Sequence, residues 1–301
     1  MAARWLKVLA AAPLMLASLT GGPAKALVPY VVLPSERNLE AAGLGIAQAA
    51  SRLLKLGQAE EAASLAALTV QLIPTDARGW LLLAEAQLRS GEDAEASASL
   101  EQARNLDPRN AGILFAQGSL ALKANQPARA IELIREGQRI DDKNAGSYFD
   151  LGNGYILLGE SKAALSAFER ASKLRSDFWE AINNQSLVLY EQRKDAEAIQ
   201  RWRSVLTIRP TAAEPMLALA AALNAQDPGN GESLDLAKRA LAGDPNYVLS
   251  SYQQEQLWGS RLRQATSVLL ANASLKGDVE DRKSTRLNSS HSSVSRMPSS
   301  A

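Results

Sequence analysis

Ala145-Gly146-Ser147-Tyr148-Phe149-Asp150-Leu151-Gly152-Asn153-Gly154-Tyr155, followed by Ala164, Phe168, Ala171 and Leu174, is the stretch from which the rest of this chain is read. Its apolar and small residues recur at three- and four-residue steps, which places them on one face of a helix. The same pattern returns every 34 positions. It starts at Gly43, Ala77, Ala111, Ala145 and Trp179 without a gap, and a sixth copy at Ala213 carries one extra residue. The expected repeats are 43–76, 77–110, 111–144, 145–178, 179–212 and 213–247. A period of this length with two helical segments per unit is the signature of a helix-turn-helix solenoid.

The spacing has a physical cause. The eighth position of each copy is small: Ala50, Ala84, Gly118, Gly152, Ser186 and Ala220. So is the twentieth, at Ala62, Ala96, Ala130, Ala164 and Ala198, then Ser233 after the one-residue shift. No long side chain stands there to hold paired helices apart. Bulkier residues fill the fourth position, Ile46, Trp80, Leu114, Tyr148, Ile182 and Met216, and complete an apolar stripe that needs a neighbour to cover it. Gly57, Gly91 and Gly159 stand between the two helices of their repeats, where a left-handed C-cap favours glycine. Pro74, Pro108, Pro210 and Pro245 follow second helices, which cannot continue through them. Asp142 and Ser176 replace that proline at two junctions. In the sixth repeat the loop Asp227-Pro228-Gly229-Asn230-Gly231 replaces the short turn.

A solenoid buries its core only against neighbours, so its ends need a cover. The capping helices are expected in 248–275, with Leu262, Ala265, Leu269 and Leu270 facing the last repeat. Arg261, Arg263 and Gln264 are expected to face water.

On these residues the chain resembles the tetratricopeptide repeat (TPR) family from residue 43 to about 247. The resemblance implies an all-α, right-handed α-solenoid whose first helices line a concave face holding an extended peptide or a partner helix. It also implies that positions two, five, nine, twelve and thirteen of each repeat point there. The fifth position runs Leu81, Phe115, Phe149, Asn183; the ninth Glu85, Ser119, Asn153; the twelfth Leu88, Leu122, Ile156, Tyr190. The implied groove is an apolar and aromatic ladder with polar rungs, suited to an apolar peptide segment or an amphipathic helix. The twelfth-position aliphatics have a second reading, packing within their own repeat. Phe115 and Phe149 would make a continuous exposed patch unless a partner or another segment covers them. The sequence thus offers Phe115→Ala with Phe149→Ala as the variant that empties the groove.

One TPR sub-type is not expected. Co-chaperones that hold a C-terminal carboxylate use Lys and Asn at positions five and nine, Asn at six of the next repeat, and two basic residues in the third. Here Asn153 and Asn184 stand at nine and six, but Phe149 takes the lysine's place, and Glu214 and Ala218 replace the basic pair.

The ends read differently. Residues 1–26 have the form of a secretory signal: Arg4 and Lys7, an apolar core from Val8 to Thr20, and Ala24-Lys25-Ala26 as a small-residue cleavage site. Without cleavage it would act as an anchor. Residues 27–42 are an N-terminal extended segment and lead-in, with Pro29 and Pro34 marking Leu27 to Pro34 as a linker or as a strand able to fold into the groove. Residues 276–301 form a disordered tail. From 282 to 301 the chain resembles translated sequencing-adaptor read-through, with a genuine basic tail as the other reading. Three cations in the first 26 residues and four in the last 20, removed from a whole-chain balance of +1, leave −6 for the remainder. That sign repels phosphate backbones, so nucleic acid is not an expected partner.

The chain has no cysteine, and its single histidine, His291, lies in that terminal stretch, outside the repeats. Nucleophilic triads and the usual zinc ligand sets are therefore missing. Asp141-Asp142 and Glu60-Glu61 read as solvated residues near helix ends. No enzyme, cofactor or metal is expected. Asp177-Phe178-Trp179-Glu180-Ala181-Ile182-Asn183-Asn184 and Glu255-Gln256-Leu257-Trp258-Gly259 resemble exported TPR proteins of cyanobacteria and chloroplast lumens. That resemblance implies the periplasm or thylakoid lumen, with membrane association only indirect or through an uncleaved signal. The first functional reading is an exported scaffold or assembly factor that binds a protein partner. The alternatives are a constitutive structural subunit of a membrane-associated complex and an accessory, non-catalytic domain of an envelope enzyme.

Overall fold

A computed structural model of the chain describes residues 34–280; the expected leader, residues 27–33 and the serine-rich end lie outside the described residues. Twelve helices form six pairs: α1 (Glu36–Lys55) with α2 (Ala59–Leu72), α3 (Ala77–Ser90) with α4 (Asp93–Leu106), and α5 (Ala111–Lys123) with α6 (Pro127–Gln138). The series continues with α7 (Ala145–Leu157) and α8 (Ser161–Leu174), α9 (Trp179–Glu191) and α10 (Asp195–Ile208), and α11 (Ala213–Gln226) and α12 (Gly231–Gly243). Two shorter helices, α13 (Ser250–Glu255) and α14 (Ser260–Leu270), follow. No strand occurs among the described residues. The fold is the all-α solenoid that the repeat pattern implies.

Each odd-numbered helix packs on its pair partner and, from α3 to α11, on the second helix of the pair before it. Odd-numbered helices of neighbouring pairs also meet directly, α1 with α3, α3 with α5 and α5 with α7, whereas the even-numbered ones share no contact of that extent. Helices that converge lie inside the curve, so the odd-numbered set forms the concave face.

The sequence period reappears in the backbone. Gly57, Gly91, Asn125, Gly159 and Arg193 all have positive φ, between 55° and 86°, and stand 34 residues apart. Each reverses the chain between the helices of a pair. Arg193 is exposed and holds a conformation that disfavours a Cβ by roughly 1–2 kcal/mol. Arg193→Gly should therefore stabilise the fold by about 0.5–1 kcal/mol, because glycine's larger unfolded-state entropy offsets part of the relief. A rise of roughly 1–4 °C in the thermal midpoint checks this; no rise would mean that the turn is unstrained. Periodic caps do similar work at helix starts. Asp76, Asn110 and Asn144 accept a hydrogen bond from an N–H in the first turn of α3, α5 and α7, and Phe178 and Ala212 occupy the same place without a side-chain bond.

Packing follows the small residues. Ala50, Ala84, Ser186 and Ala220 are fully buried, and so is the series Ala62, Ala96, Ala130, Ala164, Ala198 and Ser233. At Gly152 an added Cβ would sit 2.4 Å from the Phe168 ring, and at Gly118 it would meet Ile134 at 2.6 Å. The glycine is what lets the large residue of the facing helix reach the pair's axis.

Three features differ from expectation. Residues 36–42, expected as part of an extended lead-in, are the first turns of α1. Glu36 begins the helix, where a carboxylate favours the N-terminal dipole. The other differences lie at the C-terminal end, where residues 276–280, expected in a disordered tail, are helical because Val279 is buried in the core of the last pairs. Rather than only closing the last repeat, α14 packs on α11 and also reaches α9, so it runs over the concave side of the fifth and sixth pairs.

Candidate functional site

The concave face divides into a part that the described residues cover themselves and a part that they leave open. The covered part begins where α9 ends. Glu191 accepts hydrogen bonds from the Arg261 and Leu262 backbone N–H groups, at 3.2 and 2.9 Å, and so caps the first turn of α14 from another element. Gly259 permits that approach, because a Cβ there would lie 2.1 Å from the Glu191 carboxyl carbon. Arg261, expected in water, forms a two-pronged ion pair with Asp195 at 2.6 and 2.7 Å and donates to the Tyr190 carbonyl. Its guanidinium also lies 3.9 Å from the Tyr190 ring centre. Trp258 donates its indole N–H to Glu214 at 3.0 Å. Leu262 and Leu269 are fully buried by this docking, and α11 is buried around almost its whole circumference.

Tyr190, Glu191 and Glu214 stand at positions twelve, thirteen and two of their repeats, which are groove positions. An amphipathic segment of the chain thus already occupies the groove of the last two repeats. Tyr190 and Asn183, both expected to meet a partner, are buried instead. Asn183 accepts the Trp202 indole N–H at 3.1 Å, beneath the surface.

The open part lies on α3, α5 and the start of α7. It holds a pocket of about 140 Å³ whose lining includes Leu81, Glu85, Leu88, Phe115, Ser147 and Asp150. Four of the expected groove residues are therefore brought together here. Ser119 stands behind them, donating its hydroxyl to Asp150 Oδ2 at 2.5 Å. The second carboxylate oxygen, Oδ1, is buried with no hydrogen-bond partner. Burial pushes Asp150 up to about 7, with the Ser119 bond opposing the rise. Across the pocket, burial also raises Glu85, opposed by Arg89 on the next turn at 2.8 Å.

The remaining expected residues have other surroundings. Asn153 accepts a bond from Asn184 at 3.1 Å, which links the two side chains across the repeat boundary. Leu122 is buried and Ile156 half-buried, both in the core of the third and fourth pairs. Phe149 faces inward, with ring centres 5.7 Å from Phe168 and 5.0 Å from Phe178. Phe115 lies against Gly137 of α6 and shows only an edge to the pocket. The continuous aromatic patch is thus covered by other segments of the chain, and the double alanine variant would report stability before binding.

Asp150 is the pocket residue that sequence reasoning misses. It stands at position six, which enters that reasoning only through the co-chaperone clamp. A lone aspartate one residue after Phe149, amid apolar and small neighbours, is the available signal. Gly112 and Gly146, also in the lining, occupy position two, a groove position whose small size opens the pocket.

With this geometry in view, residues 94–145 and 149–213 match the tetratricopeptide repeat family model. That part of the chain is built of tetratricopeptide repeats. No curated protein matches it. Among solved structures, pilF of Pseudomonas aeruginosa is similar at 17% identity and a TM-score of 0.60, over 74% of this chain and 99% of that one. TTC0263, a thermophilic TPR protein of Thermus thermophilus, is 20% identical with a TM-score of 0.52, over 63% of this chain and 99% of that one. The APC/C hetero-tetramer Cut9-Hcn1 aligns at 14% identity and a TM-score of 0.64, over 75% of this chain and 46% of that one. At these identities the likeness is one of fold. Repeats of this kind generally serve as non-catalytic scaffolds for protein–protein interaction, through the extended concave surface that stacking creates. Among the described residues no helix is long and apolar enough to cross a membrane.

Proposed function

We propose that this protein is an exported scaffold or assembly factor that holds a segment of another protein along the concave face of α3, α5 and α7. The observation that carries the reading is α14. Its Leu262 and Leu269 are buried in the continuation of the same face. A groove that binds one amphipathic segment of its own chain has the shape and apolar character to bind another beside it. The stretch left open carries the pocket, walled by Leu81, Leu88 and Phe115. Export rests on the signal-like first 26 residues, and the periplasm or thylakoid lumen follows from that leader and the lumenal resemblance.

Leu81→Arg tests the reading with little risk to the fold, because Leu81 is only half-buried. The long cationic side chain would fill the pocket beside Glu85 and Asp150. Affinity capture with the full chain and with this variant, from extract of the native host, should yield a protein retained by the first and weakened at least about tenfold on the second, as expected for a central anchor. Equal retention by both would favour a fixed subunit that assembles through its outer or end surfaces.

A further inference from the structure

We propose that the open pocket selects a segment carrying one lysine or arginine among apolar residues, with Asp150 as the acceptor for the cationic head. This deepens the groove reading and rests on it. Asp150 is 2% exposed, and one of its oxygens is already held by Ser119 while the other has no partner. A buried acceptor without a donor is a standing cost in the empty protein, and an arriving donor removes it. The site is therefore built for something that brings a hydrogen.

The lining narrows the class. Leu81, Leu88 and Phe115 supply apolar wall, and Asp150 and Glu85 supply carboxylates. A lysine or arginine side chain has the same division, an apolar stem and a charged tip. The volume of about 140 Å³ is that of one side chain, comparable to the engineered cavity of about 150 Å³ that holds benzene.

Charge decides between a cation and a neutral donor. Arg89 is committed to Glu85 at 2.8 Å, and Ser119 is neutral, so among the described residues nothing at the pocket compensates an ionised Asp150. A neutral amide would satisfy the free oxygen but leave the charge; an ammonium or guanidinium does both. The excess of acidic residues outside the two ends adds attraction at long range.

Dodecapeptide pools built from Ala, Leu, Val and Ser, each with one fixed central residue, separate these cases. The full chain is applied at pH 8 to pools fixed as Lys, Arg, Gln, norleucine or Glu. It should retain the Lys and Arg pools at least about tenfold better than the Gln and norleucine pools, the scale of one charge-assisted bond. Asp150→Asn, with its helical circular dichroism intact, should hold all pools alike to within about twofold. Retention of the norleucine or Gln pools by the wild type as well as Lys and Arg would overturn the selectivity and leave the groove reading standing. A Lys and Arg preference that survives in Asp150→Asn would overturn the role of Asp150. Failure of the wild type to retain any pool would overturn both this inference and the groove reading.

Discussion

Phe149→Ala should cost about 3–5 kcal/mol of stability, the range for removing a buried phenylalanine and leaving a cavity. The ring fills the space between α7, α8 and the turn before α9, against Phe168 and Phe178, which are themselves almost fully buried. Alanine removes both aromatic contacts, each contributing roughly 0.5–1.5 kcal/mol beyond the area it covers. Because a repeat array transmits stability only through neighbours, the loss should be felt most in the fourth pair. Urea denaturation measures the total, and amide exchange should show α7 and α8 opening first. Phe149→Leu, which keeps most of the volume, should recover most of the loss. A variant with unchanged stability and lost partner binding would instead place the ring in the groove.

The second large effect is a pH dependence centred on Asp150. Its carboxyl titrates near 7 in the folded chain against 3.8 as the reference value, and the cause is burial. Between those two values the folded state binds a proton that the unfolded state has lost. Stability therefore falls as pH rises from about 4 to about 7 and is level above that. The full penalty at pH 8 is on the order of a few kcal/mol, from the conversion of roughly 1.4 kcal/mol per pH unit. Asp150→Asn removes the titrating group while keeping an acceptor for Ser119. It should be more stable than the wild type at pH 8 and nearly equal to it at pH 4.5, with the other carboxylates cancelling in the difference. Equal gaps at the two pH values would contradict this. The charged groups facing Asp150 across the pocket, Glu85 and Arg89, form their own pair, so the effect belongs to burial.

Both predictions turn on what the sequence could convey. The period was legible because it is a packing rule: small residues at positions eight and twenty and a large one at four follow from two helices in contact. The turn at every thirty-fourth residue was legible at Gly57, Gly91 and Gly159, but not at Asn125 and Arg193, which adopt the same positive φ without a glycine to mark it. The groove was legible only as a set of positions. Position five says that a side chain starts on the inner face of a helix; it does not say whether the ring then leans out or folds back. Phe149 folds back onto the Phe168 and Phe178 rings. Leu81 stays half-buried, packed against the core of the second and third pairs while it lines the pocket. Residues 260–270 showed an amphipathic pattern but not its destination. That destination is set by Glu191, Asp195 and Glu214, residues 44 to 71 positions away in sequence from those they bind.

The most direct test of the whole account is amide hydrogen exchange of the full chain, with and without the partner that it retains. Binding in the open groove predicts new protection in α3, α5 and α7 together, with α4, α6 and α8 unchanged. Protection confined to the even-numbered helices, or to the ends of the stack, would contradict the account and place the partner on the outer surface.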